Sequence, residues 1–115
     1  MRPTNTDKVN IALYHGSISH CKTDVNWTMT FGEDDISIFD DFDFAMLGDI
    51  HRRQFLDHDG RVWYAGSTVQ QNHGETNDKG LLIWEIDSKD EWDIEPIVFK
   101  NPKPFIPKTL CFVCF

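Results

Sequence analysis

Basic residues are few in this 115-residue chain. Lysine and arginine together number 11 against 19 aspartates and glutamates, which gives a formal net charge of -8 at pH 7. A protein that binds nucleic acid only through the phosphate backbone would normally show a basic stripe, and this sequence has none. A nucleic-acid substrate would therefore need metal ions or a partner to screen the acidic residues.

Cysteine is also scarce. Cys21, Cys111 and Cys114 are too few and too unevenly placed for a disulfide framework. Cys111 and Cys114 form a CxxC pair without a second such pair in the sequence. An ordinary thiol pair is favoured there over a zinc or redox site.

Long apolar runs are missing from the sequence. No run approaches the roughly 20 residues that a transmembrane helix needs. Residues 1–8 are polar, unlike a signal peptide. We therefore expect a cytoplasmic protein with no membrane partner.

Apolar and aromatic residues are plentiful enough for a folded core. Hydrophobic residues, with the aromatic ones included, make up 40% of the chain, and aromatic residues alone make up 13%. The length suits one domain. We predict a disordered N-terminal segment over residues 1–8 and a folded domain over residues 9–100. Residues 101–115 are expected to form a linker and an apolar tail.

The apolar pattern predicts mainly β-strands. Strands are expected where apolar residues run together or alternate, over residues 9–14, 44–47, 80–86 and 92–98. Asp59-Gly60 lies between two β-rich runs and predicts a hairpin of residues 54–56 and 61–64, with His58 exposed and inert. Ile36 and Phe39 predict a short docked helix, whose neighbouring acids are best explained as a solvated face.

Potential metal ligands follow two of the predicted strands. His15 lies where the first strand ends, and Asp49 and His51 follow the second strand through a glycine that permits a tight turn. A carboxylate combined with an imidazole suits Mn, Fe or Zn. The spacing alone is a weak signal, and a hydrogen bond from His15 to a neighbouring carbonyl is the simpler alternative.

These ligand-type residues form an ordered series with later motifs. Tyr64-x-Gly66-Ser67 comes next, followed by Gly74-Glu75 and Lys79-Gly80. The series resembles the second half of the calcineurin-like metallophosphoesterase domain, and most closely the nuclease subunit of the bacterial SbcCD complex and its phage recombination counterparts. The resemblance extends over residues 9–99. It implies an α/β fold leaning towards α+β, as the β-rich half of an incomplete αββα sandwich.

The resemblance implies a metal site. In that family two divalent cations clamp a phosphodiester and activate a water molecule. His15 and Asp49 would bind the second metal and His51 the first, with Mn favoured and Mg as the alternative. Asp49 replaces a histidine of the family pattern, and its charge shifts the preference towards harder ions. Glu75 and Lys79 would have a structural role.

The resemblance also implies binding partners, and it implies that the chain carries only part of the active site. The partners are DNA, an ABC-type ATPase subunit of the SbcC type and a second copy of the chain. The function that the resemblance implies is that of a DNA exo- or endonuclease in recombination and double-strand-break repair. The ligand motifs of the family's first half do not precede His15, and three ligands cannot complete a two-metal site. We therefore expect a truncated gene product or one half of a split enzyme, inactive or nearly inactive alone.

Two alternatives stay open at this point. The first is a non-catalytic β-rich interaction domain in which the histidines and aspartates are incidental. The second is a phosphoesterase that acts on a small phosphodiester, which the acidic charge would tolerate better than DNA.

Overall fold

Two β-sheets form the framework of the molecule, for which a computed structural model describes residues 2–110. The strands are β1 (Ile11–His15), β2 (Phe44–Gly48), β3 (Gln54–Phe55), β4 (Val62–Tyr64), β5 (Gly80–Ile86) and β6 (Trp92–Val98). A 3₁₀-helix, Ile36–Phe39, lies between β1 and β2.

The larger sheet has the strand order β1-β2-β4-β3. β1, β2 and β4 run parallel, and β3 pairs antiparallel with β4. The register places His15 of β1 opposite Gly48 of β2, so both strands end at the same edge of the sheet. Residues just beyond these two strands are therefore brought together, and this edge positions the candidate site.

One face of the larger sheet carries the hydrophobic core. Because side chains alternate across a strand, every second residue of β1, β2 and β4 points to that face. Their small and branched apolar side chains pack against the 3₁₀-helix and the segment after β1. The buried cluster comprises Ala12, Ile18, Cys21, Phe39, Ala45, Leu47, Val62 and Tyr64. Burial raises the pKa of the Cys21 thiol, which therefore stays protonated as a core side chain.

The smaller sheet is an antiparallel ribbon of β5 and β6 that packs against the other face through aromatic rings. Phe44 is 1% exposed and meets Trp84 and Trp92 edge-on, with centroid separations of 6.1 and 5.5 Å. The Arg61 guanidinium carbon lies 5.2 Å from the Phe44 ring centroid and 5.4 Å from that of Trp92. These contacts fix the ribbon on the sheet.

The predicted β-rich character is confirmed. All four predicted strands form, and the predicted hairpin joins β3 and β4. The docked helix is a single 3₁₀ turn capped by Asp35, whose carboxylate accepts from the Ser37 backbone N–H at 3.0 Å. Over residues 2–110 this turn is the sole helix, so the helical content is lower than the α/β class suggests.

Two further expectations concern the membrane and the tail. Between residues 2 and 110 no helix is both long and apolar enough to cross a bilayer. Cys111 and Cys114 lie outside the described residues.

Candidate metal site

His15 and Asp49 meet at the edge where β1 and β2 end. The Nε2 atom of His15 lies 3.8 Å from Oδ1 of Asp49. Gly48 makes this approach feasible, because a Cβ at that position would lie 2.9 Å from the His15 Nδ1 atom. Asp49 itself has a φ of 93°, a left-handed conformation that Asp and Asn tolerate better than most residues. The chain therefore turns sharply after β2 and leaves the carboxylate beside the imidazole.

The pair fits one divalent cation. Two ligands that each lie about 2.1 Å from an octahedral ion are about 3 Å apart, so the observed separation needs to close by less than about 1 Å. The His15 side chain is 80% exposed and the Asp49 side chain 44%, so both donors are accessible from solvent. No lysine or arginine among residues 2–110 forms an ion pair with Asp49.

The electrostatic environment of this edge is negative. The Tyr14 hydroxyl donates a hydrogen bond to the Asp34 carboxylate at 2.7 Å. This bond, with smaller contributions from burial and from the charges of Asp34, Glu33 and Asp49, raises the pKa of Tyr14 to about 12. Carboxylates that lie close together create a negative potential, which raises the local concentration of cations.

Tyr64 anchors the turn that follows His15. Its buried hydroxyl donates to the Gly16 carbonyl at 2.7 Å and accepts from the Ile18 backbone N–H at 2.9 Å. Burial is the main reason that the pKa of Tyr64 is raised, so the hydroxyl keeps its proton. The end of β4 thereby holds the end of β1 in place.

His51 takes a different partner from His15 and Asp49. Its Nδ1 atom lies 2.9 Å from Oε1 of Glu75, whose side chain is 1% exposed. Burial alone would raise the pKa of Glu75. The hydrogen bonds to His51 and the Gln71 backbone, with the charge of Lys79, outweigh burial and lower it. Glu75 is therefore a buried carboxylate in its charged form.

Asp24, His51 and Glu75 form a group whose ligand-type atoms lie within 4.8 Å of one another. The Lys79 ammonium already lies inside it, 2.8 Å from Oδ1 of Asp24 and 3.4 Å from Oε2 of Glu75. A divalent ion would be repelled by this buried ammonium, which satisfies both carboxylates. We therefore assign the group as a buried ion-pair cluster held by Lys79 and not as a metal centre.

The three ligands predicted from sequence are placed in two neighbouring sites. His15 and Asp49 are brought together, whereas His51 pairs with Glu75, and the three do not form one compact group within residues 2–110. The resemblance assigns His15 and Asp49 to one ion and His51 to the other. Their role as metal ligands stays a prediction.

Sequence reasoning missed Asp24. It lies in residues 21–31, which show no periodic pattern, so no signal pointed to it. The partnership of Glu75 with Lys79 left no reliable signal either, because a spacing of four brings side chains together on a helix and residues 75–79 are not helical. Its link to His51 spans 24 residues and was not detectable. His58 is fully exposed in the turn, as predicted.

The chain is similar in sequence to part of a viral protein. No family model and no solved structure matches the chain. The relative is the uncharacterized protein R555 of Acanthamoeba polyphaga mimivirus, 38% identical over 90 residues. The matched region is 77% of this chain and 7% of the viral protein, so the chain is similar to a small part of a much longer protein.

Proposed function

We propose that the chain contributes part of a divalent-metal phosphodiesterase centre of the calcineurin-like type, in a DNA nuclease. The observation that supports this most directly is the pairing of His15 Nε2 with Asp49 Oδ1 at 3.8 Å. Two exposed donors of the right chemistry, at the ends of adjacent parallel strands, suit an open cation site better than a structural contact.

The residues have distinct roles in this proposal. His15 and Asp49 hold one ion and His51 holds the other, with Mn²⁺ favoured over Mg²⁺ because two of the three ligands are imidazoles. When bound, the ions polarise the phosphodiester and lower the pKa of a bound water. The protein's own contribution is to fix the ligands on a rigid sheet edge.

The number of donors limits what the chain can do alone. Three side chains divided between two ions leave each ion short of the four to six ligands that it needs. The remaining ligands would come from protein outside these 115 residues. The proposal therefore includes negligible hydrolysis by the isolated chain.

The sheet supports the finer fold assignment, as half of an αββα sandwich. Beside Phe44, on the face opposite the core, Ile11, Leu13 and Phe55 are 41%, 71% and 56% exposed. An apolar sheet face normally packs against a second layer. We propose that protein carrying the missing ligands covers the part of this face that the β5–β6 ribbon leaves exposed. The proposed partners of this chain are DNA, an ABC-type ATPase subunit and a second copy of the chain.

A non-catalytic interaction domain is the second candidate function. It is favoured by the same exposed apolar face, which could serve a binding partner without any chemistry. Under this alternative the His15–Asp49 pair is incidental and binds no metal.

A small phosphodiester as the substrate, in place of DNA, is favoured by the net charge of -8.

The proposal is tested by titrating Mn²⁺ into the purified chain and following the free ion by electron paramagnetic resonance. His15→Ala and Asp49→Asn should each weaken binding by about tenfold or more. Asparagine is chosen because it tolerates the positive φ of residue 49.

His58→Ala is the matched control, because His58 also faces a neighbouring carboxylate, that of Asp59 at 3.4 Å, but in an exposed turn. It should leave Mn²⁺ affinity unchanged. Equal affinities for all four proteins, or no binding by any, would favour the interaction domain. Rapid hydrolysis of bis(p-nitrophenyl) phosphate by the isolated chain would refute the claim of missing ligands.

A further inference from the structure

The carboxylate of Glu75 is fully committed to neighbouring groups. Oε1 lies 2.9 Å from His51 Nδ1 and accepts from the Asn72 side-chain amide at 3.1 Å. Oε2 accepts from the Gln71 backbone N–H at 2.9 Å and lies 3.4 Å from the Lys79 ammonium. With these four partners, both oxygens are held in fixed directions.

The Glu75 contact determines the protonation pattern of the His51 ring. An ionised carboxylate can only accept hydrogen bonds, so the Nδ1 atom that faces it must carry the proton. In the neutral ring, Nε2 is then left with a free lone pair. Since a metal ion binds only an unprotonated ring nitrogen, this is the tautomer that a metal ligand at Nε2 requires.

The backbone of His51 is held by the same part of the chain. Its carbonyl accepts from Lys79 Nζ at 2.8 Å and from the Ser67 backbone N–H at 3.1 Å. The ring and the backbone of His51 are thus both restrained by residues 67–79. Its side chain is still 39% exposed, so the ring is fixed on one side and open to solvent elsewhere.

From this geometry we propose that Glu75 is a positioning residue for His51, which holds the Nδ1–H tautomer and presents Nε2 to a divalent cation. This inference rests on the proposed function, and it adds a residue that donates nothing to the ion itself. Carboxylates that accept from the second nitrogen of a metal-bound histidine fix its orientation and increase its basicity. Lys79 supports the arrangement by balancing the charge of Glu75.

The tautomer of His51 can be measured without any metal. Long-range ¹H–¹⁵N correlation spectra of the metal-free chain, recorded where its histidines are neutral, separate the two tautomers of each ring. His51 should be in the Nδ1–H form in the wild type. Glu75→Ala should shift it towards the Nε2–H form that an unrestrained histidine favours. The internal reference is His20, which is exposed and whose ring has no hydrogen bond within residues 2–110.

Glu75→Gln is the second variant, because it keeps the volume of the side chain. Its amide can take two orientations, and in each the NH₂ group meets a hydrogen-bond donor: Asn72 at the position of Oε1, or Gln71 and Lys79 at that of Oε2. With the amide oxygen towards His51, Nδ1 must donate, and with the NH₂ group towards it, Nδ1 must accept. His51 should therefore become a mixture of tautomers. Glu91→Ala removes an exposed glutamate side chain outside this cluster and should change neither the spectrum nor the fold.

Zn²⁺ gives the second readout, because it is diamagnetic and shifts the ¹⁵N resonance of the ring nitrogen that it binds, whereas Mn²⁺ at the His15–Asp49 pair would also broaden nearby His51. In the wild type the Nε2 resonances of His15 and His51 should shift and that of His58 should not. Glu75→Ala should raise the Zn²⁺ concentration needed for the His51 shift by about tenfold or more while the His15 response is kept, because the His15–Asp49 pair is intact.

Three results would overturn the positioning role alone. The first is a His51 tautomer in the wild type that matches His20, and the second is a tautomer unchanged by Glu75→Ala. The third is a changed tautomer with an unchanged Zn²⁺ response of His51, which would make Glu75 a structural residue only. A fourth result, no Zn²⁺ response of either His15 or His51 in the wild type, would refute the metal centre itself.

Discussion

Two histidine–carboxylate pairs lie close together in this molecule and differ in almost every physical respect. His15 and Asp49 are 3.8 Å apart, with side chains 80% and 44% exposed. His51 and Glu75 are 2.9 Å apart, and Glu75 is 1% exposed. The first pair is open to solvent, and the second is part of a buried ion-pair cluster with Lys79 and Asp24.

The difference shows that two pairs of similar residue types can have separate roles, depending on how deeply each pair is buried. An exposed ion pair contributes little to stability and leaves its donor atoms available to a ligand. A buried carboxylate must be paired, so it fixes the structure around it and leaves little freedom to bind anything else. The open pair is therefore suited to binding, and the closed pair is suited to holding His51 in place.

The largest effect on stability is expected from breaking the buried ion-pair cluster around Lys79. Lys79→Ala removes the ammonium that balances Asp24 and Glu75, whose side chains are 13% and 1% exposed. Leaving these carboxylates without their cation should lower the free energy of unfolding by about 3 kcal/mol or more. Urea denaturation followed by tryptophan fluorescence measures this.

Lys22→Ala is the control for that substitution, since Lys22 is exposed and has no salt bridge within residues 2–110. Its effect should stay within about 0.5 kcal/mol. A similar effect of both substitutions would show that the Lys79 cluster is not a structural element.

The second prediction concerns the anchor beneath the open pair. Tyr64→Phe removes a buried hydroxyl and leaves the Gly16 carbonyl and the Ile18 N–H without their partner. The expected loss is about 2 kcal/mol in the free energy of unfolding. The outcome that would contradict it is a loss no greater than that of Tyr14→Phe, whose hydroxyl forms one exposed hydrogen bond with Asp34.

A third prediction uses an ion pair away from the site. Asp43 accepts from the Asn10 backbone N–H at 2.7 Å and pairs with Lys89 at 3.1 Å. Burial would raise its pKa, but these contacts outweigh burial and lower it below the usual 3.8. The ionised form therefore stabilises the fold above that value, and the contribution is lost as the pH falls through the lowered pKa.

The measurement for Asp43 is the pH dependence of thermal unfolding. Asp43→Asn should cost about 1 kcal/mol at pH 7 and flatten the loss of stability between about pH 5 and pH 3. Asp90→Asn, at an exposed residue, should leave the curve unchanged. An equally steep acid limb in Asp43→Asn would show that other groups cause it.

The smallest effect on stability is expected at the open pair. His15→Ala and Asp49→Asn should each change the free energy of unfolding by less than about 0.5 kcal/mol, because the pair is exposed. The same urea experiment measures this. A loss of about 2 kcal/mol would make the pair a structural contact and remove the main argument for an open site.

Local signals predicted the strands well. Alternation identified β1 and β6, apolar runs identified β2 and β5, and Asp59-Gly60 identified the hairpin. β1 begins at Ile11 and not at Val9, because the backbone N–H of Asn10 is bonded to the Asp43 side chain. Such a contact spans 33 residues and leaves no local pattern.

The site was only partly predictable for the same reason. The sequence placed His15 and Asp49 at strand ends, but the parallel pairing of β1 with β2 that brings them together was not predicted. The cluster around Lys79 depends on contacts over 55 residues to Asp24 and 28 residues to the His51 carbonyl. Since Asp24 lies in a segment without periodicity, only the folded arrangement reveals its partner.

The central claim is that His15 and Asp49 together bind a divalent cation. The most direct test is an anomalous difference map from crystals of the chain soaked in Mn²⁺. We expect a peak about 2.1 Å from both His15 Nε2 and an Asp49 carboxylate oxygen. A peak between Asp24 and Glu75, or no peak at the edge where β1 and β2 end, would contradict it.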